Sequence, residues 1–397
     1  MDDRRMDTEG DLVESGPMNA ATVSSPGVTR VDLPDGRTVW MVTKYGLARR
    51  MLSDTRLTSD SSTMGEMAPL ASLPTDVKRI MERDMLSQDP PVHTRMRKLA
   101  APGFTTRAVI AVRPAIERIA GDLVRKLSPR SEVDLVADFA VPLPTLVLGE
   151  IFGIPADECA QVRSWSDVFA AGLLPIKDTL RPSIMWLNDY AKDLAGRRRS
   201  DPDDGLISRL TADLDDDEVS SMVFLLLVAG QTATTQLIAK GLNLLLTHPE
   251  QLDRVRGDRS LLSGAVDELL RYDPPLRVTA FRMAVEPIEV ENVTIAAGDV
   301  VMCSVTEANR DGERFTDPDR LDVGRQDNQH LAFGHGIHRC LGANLAKAEA
   351  EIAFTTLLDR FERIELAVPA VDLRWEDVGI MNQLTALPVR LTPAKAG

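Results

Sequence analysis

The sequence predicts a mainly α-helical protein that carries a small β subdomain. Most of the chain between Lys44 and Arg271 has helical patterning. Proline-bearing joints divide this stretch, and because proline disrupts a helix interior they indicate several helices rather than one. The joints are Asp89–Pro91, Leu143–Pro144, Ile154–Pro155 and His248–Pro249. The chain has 397 residues, of which 44% are hydrophobic, and this is enough for a sizeable core.

Short strand-like segments lie on either side of the helical stretch. They are rich in β-branched residues and are bounded by turn residues. The predicted strands are a hairpin at Val31–Val42 with its turn at Pro34–Gly36, two strands at Ile288–Ile295 and Val300–Val305 with a turn at Ala297–Asp299, and a final hairpin at Ile380–Leu391.

The domain organisation is predicted to be simple, because no repeat and no linker divides the chain. We expect residues 27–397 to form one domain and residues 1–26, which are small, polar and charged, to be disordered. The acidic run Asp213–Glu218 precedes a long apolar stretch. We expect this run to cap a helix rather than to bind calcium, because it lacks the glycine and ligand spacing of an EF-hand loop.

Charge and cysteine content exclude several classes of partner. The net charge of −14 and the pI near 5.0 disfavour nucleic acid and anionic membranes. The three cysteines have no regular spacing, which indicates a reducing compartment without a disulfide framework. The N-terminus shows no signal peptide, and the longest apolar run, Met222–Gly230, is about half a membrane span. We therefore expect a soluble cytoplasmic protein.

The most informative segment is Phe333–Gly342, which places Cys340 in a glycine-containing loop before a helix-forming run. The amides at a helix N-terminus favour negative charge, so Cys340 is predicted to be a thiolate. Gly336 and Gly342 allow the backbone to approach a flat cofactor, against which Phe333 can lie. A thiolate beside a large planar cofactor is one way in which heme iron is held.

A zinc site is the alternative for this loop, since His335, His338 and Cys340 can all bind metals. Zinc needs a fourth ligand, or an open position with a general base nearby. The remaining cysteines, Cys159 and Cys303, lie in apolar surroundings far along the chain and are expected to be buried. The pattern therefore favours heme over zinc.

The pattern Phe-x-x-Gly-x-His-x-Cys-x-Gly resembles the heme-ligand loop of the cytochrome P450 family, and the resemblance runs from about Val31 to the end of the chain. It implies the cytochrome P450 fold of the soluble bacterial, actinobacterial-type class. It also implies heme b as cofactor, with Cys340 as the metal ligand and Phe333, Gly334 and Gly342 beside the heme.

Two further constellations support this resemblance. Glu268 and Arg271 lie one helical turn apart and match the family's Glu-x-x-Arg pair, for which Arg320 would be the third partner. His93 and Arg97 are spaced i,i+4 on one helix face, which suits the binding of an anionic group. The resemblance assigns the heme propionates to His93, Arg97, Arg282 and His338.

The central helix departs from the family pattern. Ala229 and Gly230 match the small pair that passes over the heme, but Thr232 and Ala233 stand where the family usually has an acid and a threonine. Those two residues normally help to deliver the protons that oxygen activation consumes. In one hypothesis Thr232, Gln231 and water replace them; in the other a polar group of the substrate completes the path. Thr234 points about 100° away around the helix, so direct replacement by it is not expected.

The resemblance also implies a substrate pocket and electron donors. The pocket is expected to include Leu226 on the central helix and Leu276, Val278, Phe281 and Met381 from the C-terminal half. Electrons would come from a ferredoxin and its reductase. The expected docking surface is a group of basic residues around the cysteine loop, namely Arg95, Lys98, Arg339 and Lys347.

The predicted function is that of a monooxygenase which hydroxylates or epoxidises a small-molecule natural product in specialised metabolism. Three alternatives remain at this point. The enzyme could couple C–C or C–N bonds without inserting oxygen, or it could use peroxide instead of a ferredoxin. Less favoured is a heme sensor of gases without turnover.

Overall fold

The computed structural model describes residues 27–33, 36–68, 74–155, 157–162 and 181–394. The segment 1–26, which the sequence predicts to be disordered, lies outside the described residues. So do Pro34 and Asp35 of the first predicted turn.

Helices make up most of the described chain and confirm the predicted class. Some are extended by single 3₁₀ or π turns, such as the π-helix Val136–Ala140. The α-helices are α1 (Tyr45–Met51), α2 (Ser61–Met64), α3 (Thr75–Met81), α4 (Val92–Ala100), α5 (Thr106–Leu127), α6 (Pro142–Phe152), α7 (Arg181–Ser200), α8 (Leu206–Thr211), α9 (Asp216–Thr247), α10 (Pro249–Gly257), α11 (Leu262–Tyr272), α12 (Val305–Ala308) and α13 (Ala343–Arg360).

The strands form small sheets among the described residues. One has five strands in the order β1-β2-β8-β5-β3, one has three in the order β4-β12-β9, and the pairs β10-β11 and β6-β7 stand alone. The strands are β1 (Val28–Asp32), β2 (Thr38–Val42), β3 (Leu57–Thr58), β4 (Glu132–Asp134), β5 (Arg282–Ala284), β6 (Ile288–Val290), β7 (Val293–Ile295), β8 (Val300–Cys303), β9 (Phe361–Leu366), β10 (Trp375–Asp377), β11 (Asn382–Leu384) and β12 (Pro388–Pro393).

The central helix α9 organises the helical core. Its apolar residues lie around most of its circumference, because α3, α6, α7, α11 and α13 all pack against it. By length and apolarity it could cross a membrane, but 72% of its most apolar window is buried inside the protein. It is the core helix of a large helical cluster, and two smaller apolar clusters lie between the β strands.

The β pairing is partly as predicted. β1 and β2 form the first hairpin with Val31 opposite Val39. Ile288–Ile295 is itself a hairpin, β6-β7, whereas β8 belongs to the five-stranded sheet, so the turn at Ala297–Asp299 joins two sheets rather than two paired strands.

The predicted final hairpin at Ile380–Leu391 is wrong. β11 pairs with β10, which precedes it, and β12 pairs with β4 and β9. Between these two strands, the carbonyl of Leu387 accepts a hydrogen bond from the amide of Leu135, and the amide of Leu387 donates to the carboxylate of Asp134. These bonds place the following strand, β12, beside β4 instead of β11.

The start of α9 contains a full capping box, as the acidic run predicts. Asp215 accepts from the amide of Glu218 at 2.8 Å, and the Glu218 carboxylate accepts from the amide of Asp215 at 3.2 Å. These contacts satisfy amides that the first helical turn leaves without partners.

Replacing Asp215 by alanine should lower the free energy of unfolding by about 1 kcal/mol, since it removes this cap. Asp213→Ala is the matched control, because that exposed side chain makes no hydrogen bond within the described residues. The melting temperatures of both variants test this expectation. Equal losses in the two variants would contradict it.

Candidate active site

Cys340 lies in a loop that its own backbone closes just before α13 begins. The amide of Cys340 donates to the carbonyl of Phe333 at 2.8 Å, and the amide of Gly334 donates to Leu331 at the same distance. Gly342 caps α13, which fixes the cysteine two residues from the helix N-terminus. The loop therefore presents the thiol from a backbone of defined shape.

The glycines of this loop have different roles. Gly336 has φ +75°, and a Cβ there would lie 2.3 Å from the carbonyl oxygen of Leu52, at the end of α1. Gly336 therefore permits close contact between the loop and α1. Gly334 has φ +66°, and a Cβ at Gly334 or Gly342 would meet nothing within 4 Å, which leaves room beside them.

The environment of Cys340 differs from the simple helix-dipole prediction. The residue is solvent-accessible, yet protein surrounds the thiol closely enough that burial raises its pKa. The Gly342 amide, Arg339 and Arg97 oppose this shift only in part. Coordination to a metal, more than the helix terminus, would therefore make this cysteine a thiolate.

The loop does not form a zinc site. No group of three or more His, Cys, Asp or Glu side chains among the described residues is arranged to hold a metal ion. The two loop histidines point to different partners: His335 accepts from Arg49 at 3.3 Å, and His338 lies against His93.

Four cationic or potentially cationic side chains converge beside the loop, and we call His93, Arg97, Arg282 and His338 the basic cluster. The two imidazole rings lie 4.5 Å apart between centroids. Burial, followed by the charges of Arg282, His93 and Arg97, lowers the pKa of His338 to about 3. Burial and then Arg97 also lower the pKa of His93, which favours its neutral form.

Three ring nitrogens of the basic cluster lack hydrogen-bond partners within the described residues, whereas Arg97 donates to the carbonyl of Arg339 at 2.7 Å. The backbone of Ile337 approaches His93, but neither ring nitrogen has hydrogen-bond geometry with a described residue, and neither has Nε2 of His338. The nearest carboxylate, Asp89, is 4.0 Å from His338 and is engaged by Thr58. Because buried polar groups are normally hydrogen-bonded, this arrangement fits a ligand with carboxylates, such as the two propionates of heme.

The Glu268–Arg271 pair is fully buried and bidentate, at 2.7 and 2.9 Å. The side chain that completes it is Arg325, whose Nε lies 3.0 Å from Glu268, so the prediction of Arg320 was wrong. Arg320 is exposed and contributes only its backbone carbonyl, to Arg271 and Arg325. Asn328, which the sequence did not suggest, donates to Glu268 at 3.0 Å.

One face of α9 is open where the rest of the helix is buried. Ala229 is exposed, and Gly230, Thr232 and Ala233 are partly so. Gly230 also permits close packing, since a Cβ there would lie 3.0 Å from Leu148 of α6. Thr232 therefore supplies the hydroxyl on this face.

The other polar residues of this stretch point elsewhere. Gln231 is buried and its Oε1 accepts from Thr145 of α6 at 3.3 Å, whereas its Nε2 has no hydrogen-bond partner within the described residues. Thr234 is buried, and Thr235 donates to the carbonyl of Ala140 at 3.2 Å.

The structure brings together some of the predicted pocket residues. Leu276 forms an isolated bridge with Met381, and Val278 forms one with Ser304. Phe281 packs beside Val278 in a β-strand cluster, with the guanidinium of Arg37 4.6 Å from its ring centre. Leu226 packs in the separate helical cluster.

Sequence reasoning missed two polar contacts that reach the pocket segments from α9. Gln236 bonds to the backbone of Leu384, and Lys240 bonds to Asp273 and Pro274. Their only signal in the sequence is their polarity within an apolar helix, at positions one turn apart.

The two arginines near Glu268 give a direct test of the network. Arg325→Ala should cost about 3 kcal/mol of unfolding free energy, because it removes one cation from a buried carboxylate. Arg320→Ala should change it by less than about 0.5 kcal/mol, since the carbonyl it contributes remains. Urea unfolding followed by circular dichroism compares them, and a larger loss for Arg320→Ala would refute this assignment.

Comparison with known proteins agrees with this site. A family model described as cytochrome P450 matches residues 188–367. The cytochrome P450 monooxygenase PikC of Streptomyces venezuelae is 38% identical over 370 residues, covering 91% of this chain and 87% of that protein. The 6-deoxyerythronolide B hydroxylase of Saccharopolyspora erythraea is 38% identical over 368 residues, covering 90% and 91%.

Solved structures extend the likeness to the whole fold. A myxobacterial cytochrome P450 in complex with myristic acid has a TM-score of 0.86 at 38% identity, over 91% of this chain and 93% of that one. The P450 monooxygenase TamI with bound tirandamycin C has a TM-score of 0.84 at 38% identity, over 92% and 94%. This chain therefore belongs to the cytochrome P450 family, and it is a bacterial monooxygenase of the heme-thiolate class.

Proposed function

We propose that this P450 hydroxylates or epoxidises a small-molecule natural product of the polyketide type, with heme b bound through Cys340. The observation that carries the proposal is an accessible thiol in a loop closed by its own backbone, next to a basic cluster in which three buried imidazole nitrogens have no hydrogen-bond partner within the described residues. Relatives named 6-deoxyerythronolide B hydroxylase and mycinamicin IV hydroxylase/epoxidase support the substrate class.

The heme would be held by residues from three parts of the chain, namely α4, β5 and the cysteine loop. Heme supplies oxygen activation and oxygen transfer to a C–H or C=C bond. Cys340 offers the ligand, and Arg97 and Arg282 bring positive charge to the propionates, with His93 and His338 as hydrogen-bond donors. Phe333, Gly334 and Gly342 lie along the same loop and would line one face of the ring.

Proton delivery is the step in which this chain departs from its family. Ala229, Gly230, Thr232 and Ala233 form the open face of α9, and Gln231 and Thr234 are buried beside it. Thr232 therefore has no acidic neighbour on that face. We propose that a polar group of the substrate completes the proton path, so that oxygen activation depends on the substrate being bound.

The substrate would lie between α9 and the segments that meet at Leu276 and Met381. The side chains available there are largely aliphatic: Leu226, Leu276, Val278 and Met381, with Phe281 at the β-strand side. Such a lining favours a skeleton held by shape and apolar area, with few polar anchors.

A second candidate is oxidative bond formation without oxygen insertion. Two similar solved structures are described as a putative thioether synthase, SgvP, and as CxnD for C–S bond formation, at 34% and 32% identity. Loss of the acid–threonine pair is compatible with such chemistry. Its products would be lighter by two hydrogens for each bond formed.

Electrons would come from a ferredoxin and its reductase, docking beside the cysteine loop. Of the four basic residues expected there, Arg95 is paired with Glu218 and Lys347 with Asp267. Lys98 and Arg339 are exposed and make no ion pair within the described residues. We therefore assign the donor surface to Lys98, Arg339 and the neighbouring exposed Ile337. We further propose that residues 27–397 act as one domain in the cytoplasm.

The proposal is tested with purified heme-loaded protein. We expect a thiolate-type spectrum of the ferrous CO complex in the wild type and its loss in Cys340→Ser, since an alcohol is a poorer anionic ligand. A Soret titration against macrolactones, terpenoids, aromatic amino acids and cyclic dipeptides should shift for the macrolactones. Product masses then separate oxygen insertion from coupling. A wild type without the thiolate-type spectrum would refute the heme assignment.

The open face of α9 generates a second prediction. If the substrate completes the proton path, Ala233→Thr should form only slightly more product per electron pair than the wild type. Thr232→Val should form only slightly less. A positioned acid or base contributes about 100-fold or more to a reaction. A gain of about tenfold or more in Ala233→Thr, measured as coupled product, would contradict substrate assistance.

A further inference from the structure

Two polar side chains of α9 are buried just beyond the open face. Gln236 and Lys240 have 4% and 2% of their surface exposed. With Thr232 they are spaced i,i+4, so the three lie in one row along the helix. The row begins at the open face and continues toward the segments that carry Leu276 and Met381.

Gln236 pairs with the backbone of Leu384 in both directions. The amide of Leu384 donates to Oε1 of Gln236 at 2.9 Å, and Nε2 of Gln236 donates to the carbonyl of Leu384 at 3.3 Å. The side chain of Gln236 thus makes the two backbone hydrogen bonds to Leu384 that a neighbouring strand would otherwise make. Both contacts are buried, so their loss would leave backbone groups without partners.

The hairpin that contains Leu384 is also held at its turn end by Arg277, whose guanidinium donates to Asp377 at 2.7 Å and to the carbonyl of Gly379 at 3.1 Å. β10 and β11 form a two-stranded sheet, and all three residues of β10 are exposed. An isolated pair of strands is marginally stable. Gln236 therefore holds the hairpin at its base, and the turn at its other end carries Met381, which bridges to Leu276.

Lys240 holds the partner segment from the same helix face. Its ammonium lies 3.0 Å from the carbonyl of Pro274 and 2.5 Å from the carboxylate of Asp273. Pro274 leads within two residues to Leu276. Both segments that meet at the Leu276–Met381 bridge are therefore anchored to α9, one turn apart.

We propose that Gln236 is a positioning residue that fixes the turn Val378–Met381 relative to the open face of α9, and so determines which ligand shapes fit above the heme. The inference rests on the proposed function, because it takes Met381 as part of the substrate pocket. Gln236 itself touches neither ligand nor heme in this scheme. It acts through the hairpin.

The test compares Gln236→Met with Thr235→Val in heme-loaded protein. Gln236→Met removes two buried hydrogen bonds and Thr235→Val removes one from the same helix turn, but Thr235 bonds to Ala140, away from the hairpin. Hydrogen exchange should quicken across residues 375–384 in Gln236→Met and not in the control. If Gln236→Met does not fold, Gln236→Asn withdraws the amide by one methylene and serves instead.

The affinities for a large and a small heme ligand provide a second measurement. A contact that only stabilises the fold would not change their ratio. In Gln236→Met the affinity for phenylimidazole should change by about fivefold, the equivalent of one net hydrogen bond, and that for imidazole by less than about twofold. Thr235→Val should change neither. Faster exchange without the phenylimidazole effect, or an equal change for both ligands, would overturn the proposal. A wild type that binds neither ligand would instead overturn the proposed function.

Discussion

The buried carboxylate of Glu268 is the constraint on which the site depends. Arg271, Arg325 and Asn328 converge on it, together with the amide of Asp322. Arg271 in turn donates to the carbonyl of Asn309, and the side chain of Asn309 accepts from the amide of Leu331 at 2.7 Å. Leu331 is where the cysteine loop begins. A single desolvated charge therefore ties α11 to the loop that would hold the heme, and none of its partners is dispensable in such surroundings.

The candidate site is rich in basic side chains, although the chain as a whole is acidic. The protein carries a net charge of −14, yet the basic cluster collects arginine and histidine where protein covers them. Burial lowers the pKa values of Arg282, His93 and His338, which shows that their charged forms lack favourable solvation. A ligand with two carboxylates would relieve that cost, and its binding would add to the stability of the folded state.

Local patterns in the sequence predicted much of this arrangement, and non-local packing accounts for what they missed. Glu268 and Arg271 share one helix, so their spacing alone indicates the pair, and the cysteine loop is a contiguous motif. Arg325 reaches Glu268 across 57 residues, and no periodicity distinguishes it from Arg320. The prediction of the final hairpin was wrong for a similar reason, because the pairing of β12 depends on a hydrogen bond between Leu387 and Leu135, which lie far apart in the sequence. The side chain of Gln231 has polar groups that could relay protons, but its orientation depends on the hydrogen bond from Thr145, which the sequence does not reveal.

The contact between Gly336 and the carbonyl of Leu52 has a consequence for motion. It joins the cysteine loop to the end of α1, which follows directly on β2 of the five-stranded sheet. Beside this close contact, Arg49 of α1 donates to His335 of the loop at 3.3 Å, so separating the two segments would break a hydrogen bond. The loop and the small β subdomain should therefore open as one cooperative unit, and slow amide exchange at either would report on both.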